Sequence, residues 1–167
     1  MRHGQDLNPD LERLTDADLS LSELGKDQAT NCAAKIKDAL GSSTAPVIIA
    51  SPRLRTMQTA SIVSTRLGLD PANVIYDVRL KERDCAVYSG QLVTKVFSRT
   101  ETDLVAGGME PYSMFQNRLK AFYDELLLQV VAPTIVVTHS GNVEPLMEIA
   151  NVDKEYTLEA NNFIRLA

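Results

Sequence analysis

No apolar run in this sequence is long enough to cross a bilayer. The longest, Ala45–Ala50 and Val130–Val137, fall well short of the roughly 20 residues a membrane helix needs, and Pro46 and Pro133 interrupt them. Cysteine is scarce: Cys32 and Cys85 are far apart and at no metal-ligand spacing from a histidine, so neither a disulfide framework nor a zinc site is suggested. Basic runs are lacking as well. With a net charge of −5 and no dense Lys/Arg stretch, duplex or RNA binding is disfavoured. Internal repeats and low-complexity tracts are absent. The opening Met1-Arg2-His3-Gly4 leads straight into polar residues without a signal-peptide pattern, both thiols read as reduced, and the expected location is the cytoplasm. What the chain does have is ordinary globular usage, 44% apolar and 23% charged residues over 167 positions, which is room for one domain around one core.

Helix-period and strand-like segments alternate along the chain. Leu24, Ala29, Cys32/Ala33, Ile36 and Leu40 recur at helical spacing, with Ser22 placed as N-cap and Gly41 as the stop. A turn over Ser42–Ala45 leads into Val47–Ala50, a short unbroken apolar run of the kind buried in a parallel sheet. Ser51-Pro52 is expected to open the next helix, carrying Leu54, Met57, Ala60, Val63 and Leu67 to Gly68. Val74–Tyr76 reads as a strand, and Asp77–Pro111 as a loop-rich stretch with helical turns near Leu92–Phe97. Met114/Phe115, Leu119, Phe122/Tyr123, Leu126/Leu127 and Val130 form the apolar face of a long helix. Thr134–Thr138, β-branched throughout, is the best strand; a helix over Val143–Ala150 and a strand over Phe163–Leu166 close the chain. The expected fold is α/β, a three-layer sandwich with a mainly parallel central sheet and helices on both faces.

In such a sheet ligands bind beyond the carboxyl ends of the strands. Ser51-Pro52-Arg53-Leu54-Arg55 follows one strand and His139-Ser140-Gly141 another, while Arg2-His3-Gly4 has the same placement if a strand precedes it. Both histidines of the chain lie in these segments. Singly, each has a bland reading: a solvated arginine in a first helical turn, a structural histidine, a surface carboxylate at Glu82, a frayed terminus at Arg2 and His3. Their joint occurrence changes the odds.

Taken together the segments resemble the histidine phosphatase superfamily, in the branch that includes cofactor-dependent phosphoglycerate mutases. Arg2-His3-Gly4-Gln5 is similar to its Arg-His-Gly-Glu/Gln signature; Leu21–Gly25 with Gln28-Ala29, and Ser51–Arg55 with Gln58-Thr59-Ala60, resemble its next two blocks. Leu80-Lys81-Glu82-Arg83 leading to Gly90 resembles the block that supplies an acid, Val137–Gly141 the block with the second histidine, and Asn161 or Asn162 an asparagine common before the last strand. The resemblance implies that His3 is the nucleophile of phosphoryl transfer, that Arg2 and Arg55 hold the phosphoryl oxygens, that His139, if protonated, donates to them, and that Glu82 is the general acid. By the same resemblance Arg53 falls on the surface or rim, and Asn8, one residue short of the usual asparagine, contacts substrate. Ala86, Ser140 and Pro111 depart from the pattern where Gly, Gly and Ser are frequent.

The reading is a metal-independent phosphatase acting on a small phosphorylated substrate, with no cofactor and no metal. A phosphoglycerate mutase and a non-catalytic phospholigand-binding module are the alternatives. The short stretch between Glu82 and His139 leaves little material for the water-excluding lid a mutase needs. One anomaly accompanies it: in the family the Arg-His-Gly motif ends a central strand, yet here only Met1 precedes Arg2. The first central strand is therefore expected to be missing, and the chain to be truncated at its N-terminus or to begin at an internal Met, with about five mainly β-branched residues upstream.

Overall fold

The computed structural model describes residues 1–8, 10, 12–41, 45–129 and 132–151. Helix α1 spans Glu23–Leu40; the Ser22 side chain caps it by accepting from Gly25 N, and Gly41, at φ 58°, ends it. Strand β1 is Val47–Ala50, followed by α2, Leu54–Arg66. Strand β2 is Ile75–Tyr76, and α3 (Val93–Phe97) and α4 (Glu101–Ala106) lie within the connection to α5, Tyr112–Gln129. Strand β3, Thr134–Val137, leads into α6, Ser140–Ile149.

The three strands pair in parallel in the order β2-β1-β3, with Val47 opposite Thr134 and Ala50 opposite Val137. Side chains alternate across the sheet with period two and so feed two cores. Ile48, Ala50, Ile135 and Val137 pack with Cys32, Ala33 and Ile36 of α1 and Ala60 and Val63 of α2. Ile49 and Val136 face the other way, against Phe115, Leu119 and Phe122 of α5 and Leu146 of α6. Helices thus cover both faces, the three-layer α/β arrangement read from the sequence. A satellite cluster of Cys85, Tyr88, Val96, Leu104 and Met109, with Leu14 against it, sits apart from the sheet.

Several boundaries differ from the sequence reading. Ser51 does not start α2; the helix begins at Leu54, and the Ser51 hydroxyl lies 2.9 Å from His139 Nε2 instead. Val74 falls outside β2, and α4 is an additional helix within the stretch read as loop-rich. On α5, Phe115, Leu119 and Phe122 are buried whereas Met114 and Leu127 are exposed, because the face toward the sheet is narrower than the run of apolar residues. Helix α6 starts three residues before Val143 and contains Pro145, whose missing N–H lies in the second turn. Val130, Asn161, Asn162, the turn at Ser42–Thr44 and the strand at Phe163–Leu166 lie outside the described residues.

Before Gly4 the backbone forms only a bridge between Arg2 and Thr138, parallel to β3. Thr138 N donates to Met1 O at 2.9 Å and His3 N donates to Thr138 O at 3.0 Å. This short pairing stands where a first central strand would run, and it brings His3 to the carboxyl end of β3.

Candidate active site

The loop carrying His3 is clamped on both sides. Gly4 N donates to Thr59 Oγ1 at 3.2 Å, and Gln5 N donates to Gln28 Oε1 at 2.8 Å. Gly4 and Gly25 meet backbone to backbone: a Cβ on Gly4 would sit 2.2 Å from the Gly25 carbonyl oxygen, and one on Gly25 would sit 2.0 Å from that of Gln5. Only glycine fits at either position. Gln28 and Thr59 thus hold the His3 loop against α1 and α2.

The His3 ring is buried and its Nδ1 lies 2.6 Å from the Gly4 carbonyl oxygen. A carbonyl only accepts, so Nδ1 carries the proton and Nε2 keeps its lone pair. Arg55 Nε donates to that Nε2 at 3.1 Å. Burial, reinforced by the positive charges of Arg55 and Arg2 and partly opposed by the Gly4 contact, lowers the His3 pKa to about 4. The imidazole is therefore neutral across the physiological range.

Arg55 is itself buried and reaches three groups. Besides His3, its Nη2 donates to Glu82 Oε2 at 3.1 Å, and its Nε stands 3.5 Å from Asp6 Oδ2. His139 is fully buried, with its ring centroid 5.2 Å from that of His3. Its Nδ1 is 3.8 Å from Glu82 Oε2. Burial, then the charge of Arg55, pushes the His139 pKa far down, which favours the neutral ring. The carboxylate near Nδ1 favours the proton on that nitrogen, with the Ser51 hydroxyl donating to Nε2.

Four buried nitrogens around this point have no hydrogen-bond partner: Arg2 Nε, Arg53 Nε, Arg55 Nη1 and His139 Nδ1. Buried donors left unmet cost on the order of 1–3 kcal/mol each, so a cluster of cationic ones is a place prepared for an anion. Arg2, His3, Asn8, Arg55 and Glu82 all line one cavity of about 540 Å³. Arg53 lines it too; half-buried, with Nη1 bonded to the Asp16 carbonyl, it belongs to the cavity wall rather than to the outer surface. Asn8 Oδ1 accepts from Asp10 N at 3.2 Å, which shapes the loop on that side.

Three residues given no role from the sequence shape the site. Asp6 places a second carboxylate against Arg55. Asn142, fully buried on α6, donates to the carbonyls of Leu80 and Lys81 and to Thr138 Oγ1, tying the Glu82 segment to the end of β3. Arg118 on α5 donates to the carbonyls of Arg79, Lys81 and Glu82 and pairs with Glu110. A lone asparagine on the inward side of an apolar helix was the available signal for Asn142. Among the described residues no group of three or more His, Cys, Asp or Glu is placed to hold a metal ion, and no helix is long and apolar enough to cross a membrane.

With this geometry in view, the sequence model of the histidine phosphatase superfamily (branch 1) matches residues 1–157. No curated protein matches in sequence. Solved structures do match. A mycobacterial glucosyl-3-phosphoglycerate phosphatase is 24% identical, with a TM-score of 0.70 over 89% of this chain and 76% of its own. A phosphoglycerate mutase from Bacillus anthracis is 19% identical, with a TM-score of 0.72 over 90% and 77%. A protein from Thermus thermophilus is 25% identical, with a TM-score of 0.67 over 92% and 84%. At these identities the likeness is one of fold.

Proposed function

This chain belongs to branch 1 of the histidine phosphatase superfamily, and from that premise we propose that it is a metal-independent phosphatase that hydrolyses a small phosphomonoester through a phosphohistidine on His3. The observation that carries the proposal is the Arg55 guanidinium, which touches both His3 Nε2 and the Glu82 carboxylate while its remaining nitrogen is buried without a partner. A phosphoryl group placed there has a nucleophile, a cation and an acid within one side chain's reach.

The chemistry follows from these positions. Before substrate arrives, Arg55 Nε occupies the lone pair that must attack. An incoming phosphate draws the guanidinium onto its oxygens, joined by Arg2 and the Nδ1–H of His139, and frees His3 Nε2. Nε2 then forms a bond to phosphorus as the bond from phosphorus to the ester oxygen breaks, and the departing oxygen takes a proton from Glu82. In the second half, water attacks phosphorus, gives its proton to the Glu82 carboxylate, and the N–P electron pair returns to Nε2. The guanidiniums supply the fixed positive charge that steadies the transferring group. The cytoplasm is the proposed location, and a small phosphorylated molecule the proposed partner.

The test is to label the protein with a phosphomonoester bearing radioactive phosphate, trap the acid-labile phosphoenzyme and measure phosphate released to water. Wild-type protein gives both; His3→Ala gives neither, and His139→Ala keeps weak labelling. Label on His139 instead would overturn the assignment. Transfer of the label to a second hydroxyl rather than to water would make the protein a mutase.

A further inference from the structure

The cavity is much larger than a phosphoryl group needs, and part of its surplus is apolar. Beyond the charged cluster it is walled by Leu14, Val93, Phe97, Met109, Tyr112 and Phe115. Phe97 and Tyr112 are 53% and 40% exposed, although both are large and apolar or nearly so. Met109 and Phe115 are buried. The wall is firmly built: Leu14 N donates to Gln91 O, Gly90 N to Leu14 O and Val93 N to Glu12 O, so residues 12–14 are laced to the segment carrying α3. Val96 and Leu104 pack the same segment from inside.

The outer arginines are already engaged in part by the protein itself. Arg13 is bonded to Asp10 and to the Gly90 carbonyl, and Arg83 to Glu101 and the Glu110 carbonyl. Asp16 lines the cavity as well, and would repel a carboxylate on the substrate. Arg53 donates through Nη1 to the Asp16 carbonyl and has a buried Nε without a partner, a donor that suits a phosphoryl or ester oxygen.

We propose that the part of the cavity bounded by Leu14, Val93, Phe97 and Met109 is a subsite for an uncharged apolar body, an aryl or branched alkyl group, carried by the phosphomonoester. This rests on the phosphatase reading above and adds the substrate class. Pockets of this size bury most of a small ligand and draw affinity from apolar walls, with a few polar groups fixing orientation. Phosphomonoesters whose remaining part is a second acid would have to strip water from a carboxylate against that wall.

The test compares kcat/KM for 1-naphthyl phosphate, 3-phosphoglycerate and acetyl phosphate, in wild-type protein and in Phe97→Ser, a substitution at an exposed position that does not touch the core. Wild-type protein should favour 1-naphthyl phosphate over 3-phosphoglycerate by at least about 10-fold, and Phe97→Ser should reduce the preference for 1-naphthyl over acetyl phosphate by about 10-fold, through KM. If 3-phosphoglycerate is the better substrate, or Phe97→Ser leaves the preference unchanged, the apolar subsite is refuted while the phosphatase reading stands. Failure to release phosphate from all three would refute the phosphatase reading and the subsite with it.

Discussion

One oxygen of Glu82 serves two neighbours: Oε2 accepts from Arg55 Nη2 at 3.1 Å and lies 3.8 Å from His139 Nδ1. Replacing the residue by glutamine keeps an acceptor for Arg55 but removes the transferable proton. Glu82→Gln should therefore slow hydrolysis of an alkyl phosphate by about 10²–10⁴. It should affect p-nitrophenyl phosphate far less, since that leaving group barely needs a proton. Steady-state rates on both esters decide the matter, and equal slowing would remove Glu82 as the acid. Ser51 shows how much a single residue's reading depends on its partner. As a sequence, Ser-Pro after a strand is a helix start; in space the hydroxyl is taken by His139, and α2 begins later, with Leu54 N donating to Asp18 Oδ1.

At the scale of elements, the first turn of α1 is as much a part of the site as the loop it touches. Gly25→Ala would drive its Cβ to 2.0 Å from the Gln5 carbonyl oxygen, backbone against backbone, with no flexible side chain to yield. The expected result is a loss of at least about 2 kcal/mol of stability in denaturant unfolding, with reduced phosphate release; a variant as stable and active as wild type would show that the loop can move away from α1. Elements with strong periodicity are legible in the sequence alone: α1, β1 and β3 lie within a residue or so of where Ser22, Gly41 and the β-branched run place them. The stretch between β2 and α5 is not. Its order comes from contacts between distant parts of the chain, such as Arg118 on three carbonyls and Leu14 on Gln91, and local pattern does not record these. The same holds for the site. The residues carrying the family resemblance are legible as a set, but Asp6, Asn142 and Arg118 act by where the fold brings them.

For the molecule as a whole, His3 and His139 are the only histidines, and the fold holds both neutral. Unfolded, His3 takes up a proton near 6.5; folded, it does so only at about 4. Between these values the unfolded chain binds more protons, so stability is full above about pH 6.5 and falls as pH drops toward 4. His139, lowered further, acts in the same direction. The midpoint of denaturant unfolding should decline over this window, and His3→Gln should decline less steeply; parallel slopes for the two proteins would show that His3 is not held neutral by the fold. The bridge between residues 1–3 and Thr138 has a further consequence, for synthesis. His3 precedes β1, β2 and β3 in the chain, and the carbonyl that positions it, on Thr138, is made only after β1, β2 and five helices have emerged. The His3 loop must wait for nearly the whole described chain, and the site is assembled only when this long-range contact closes.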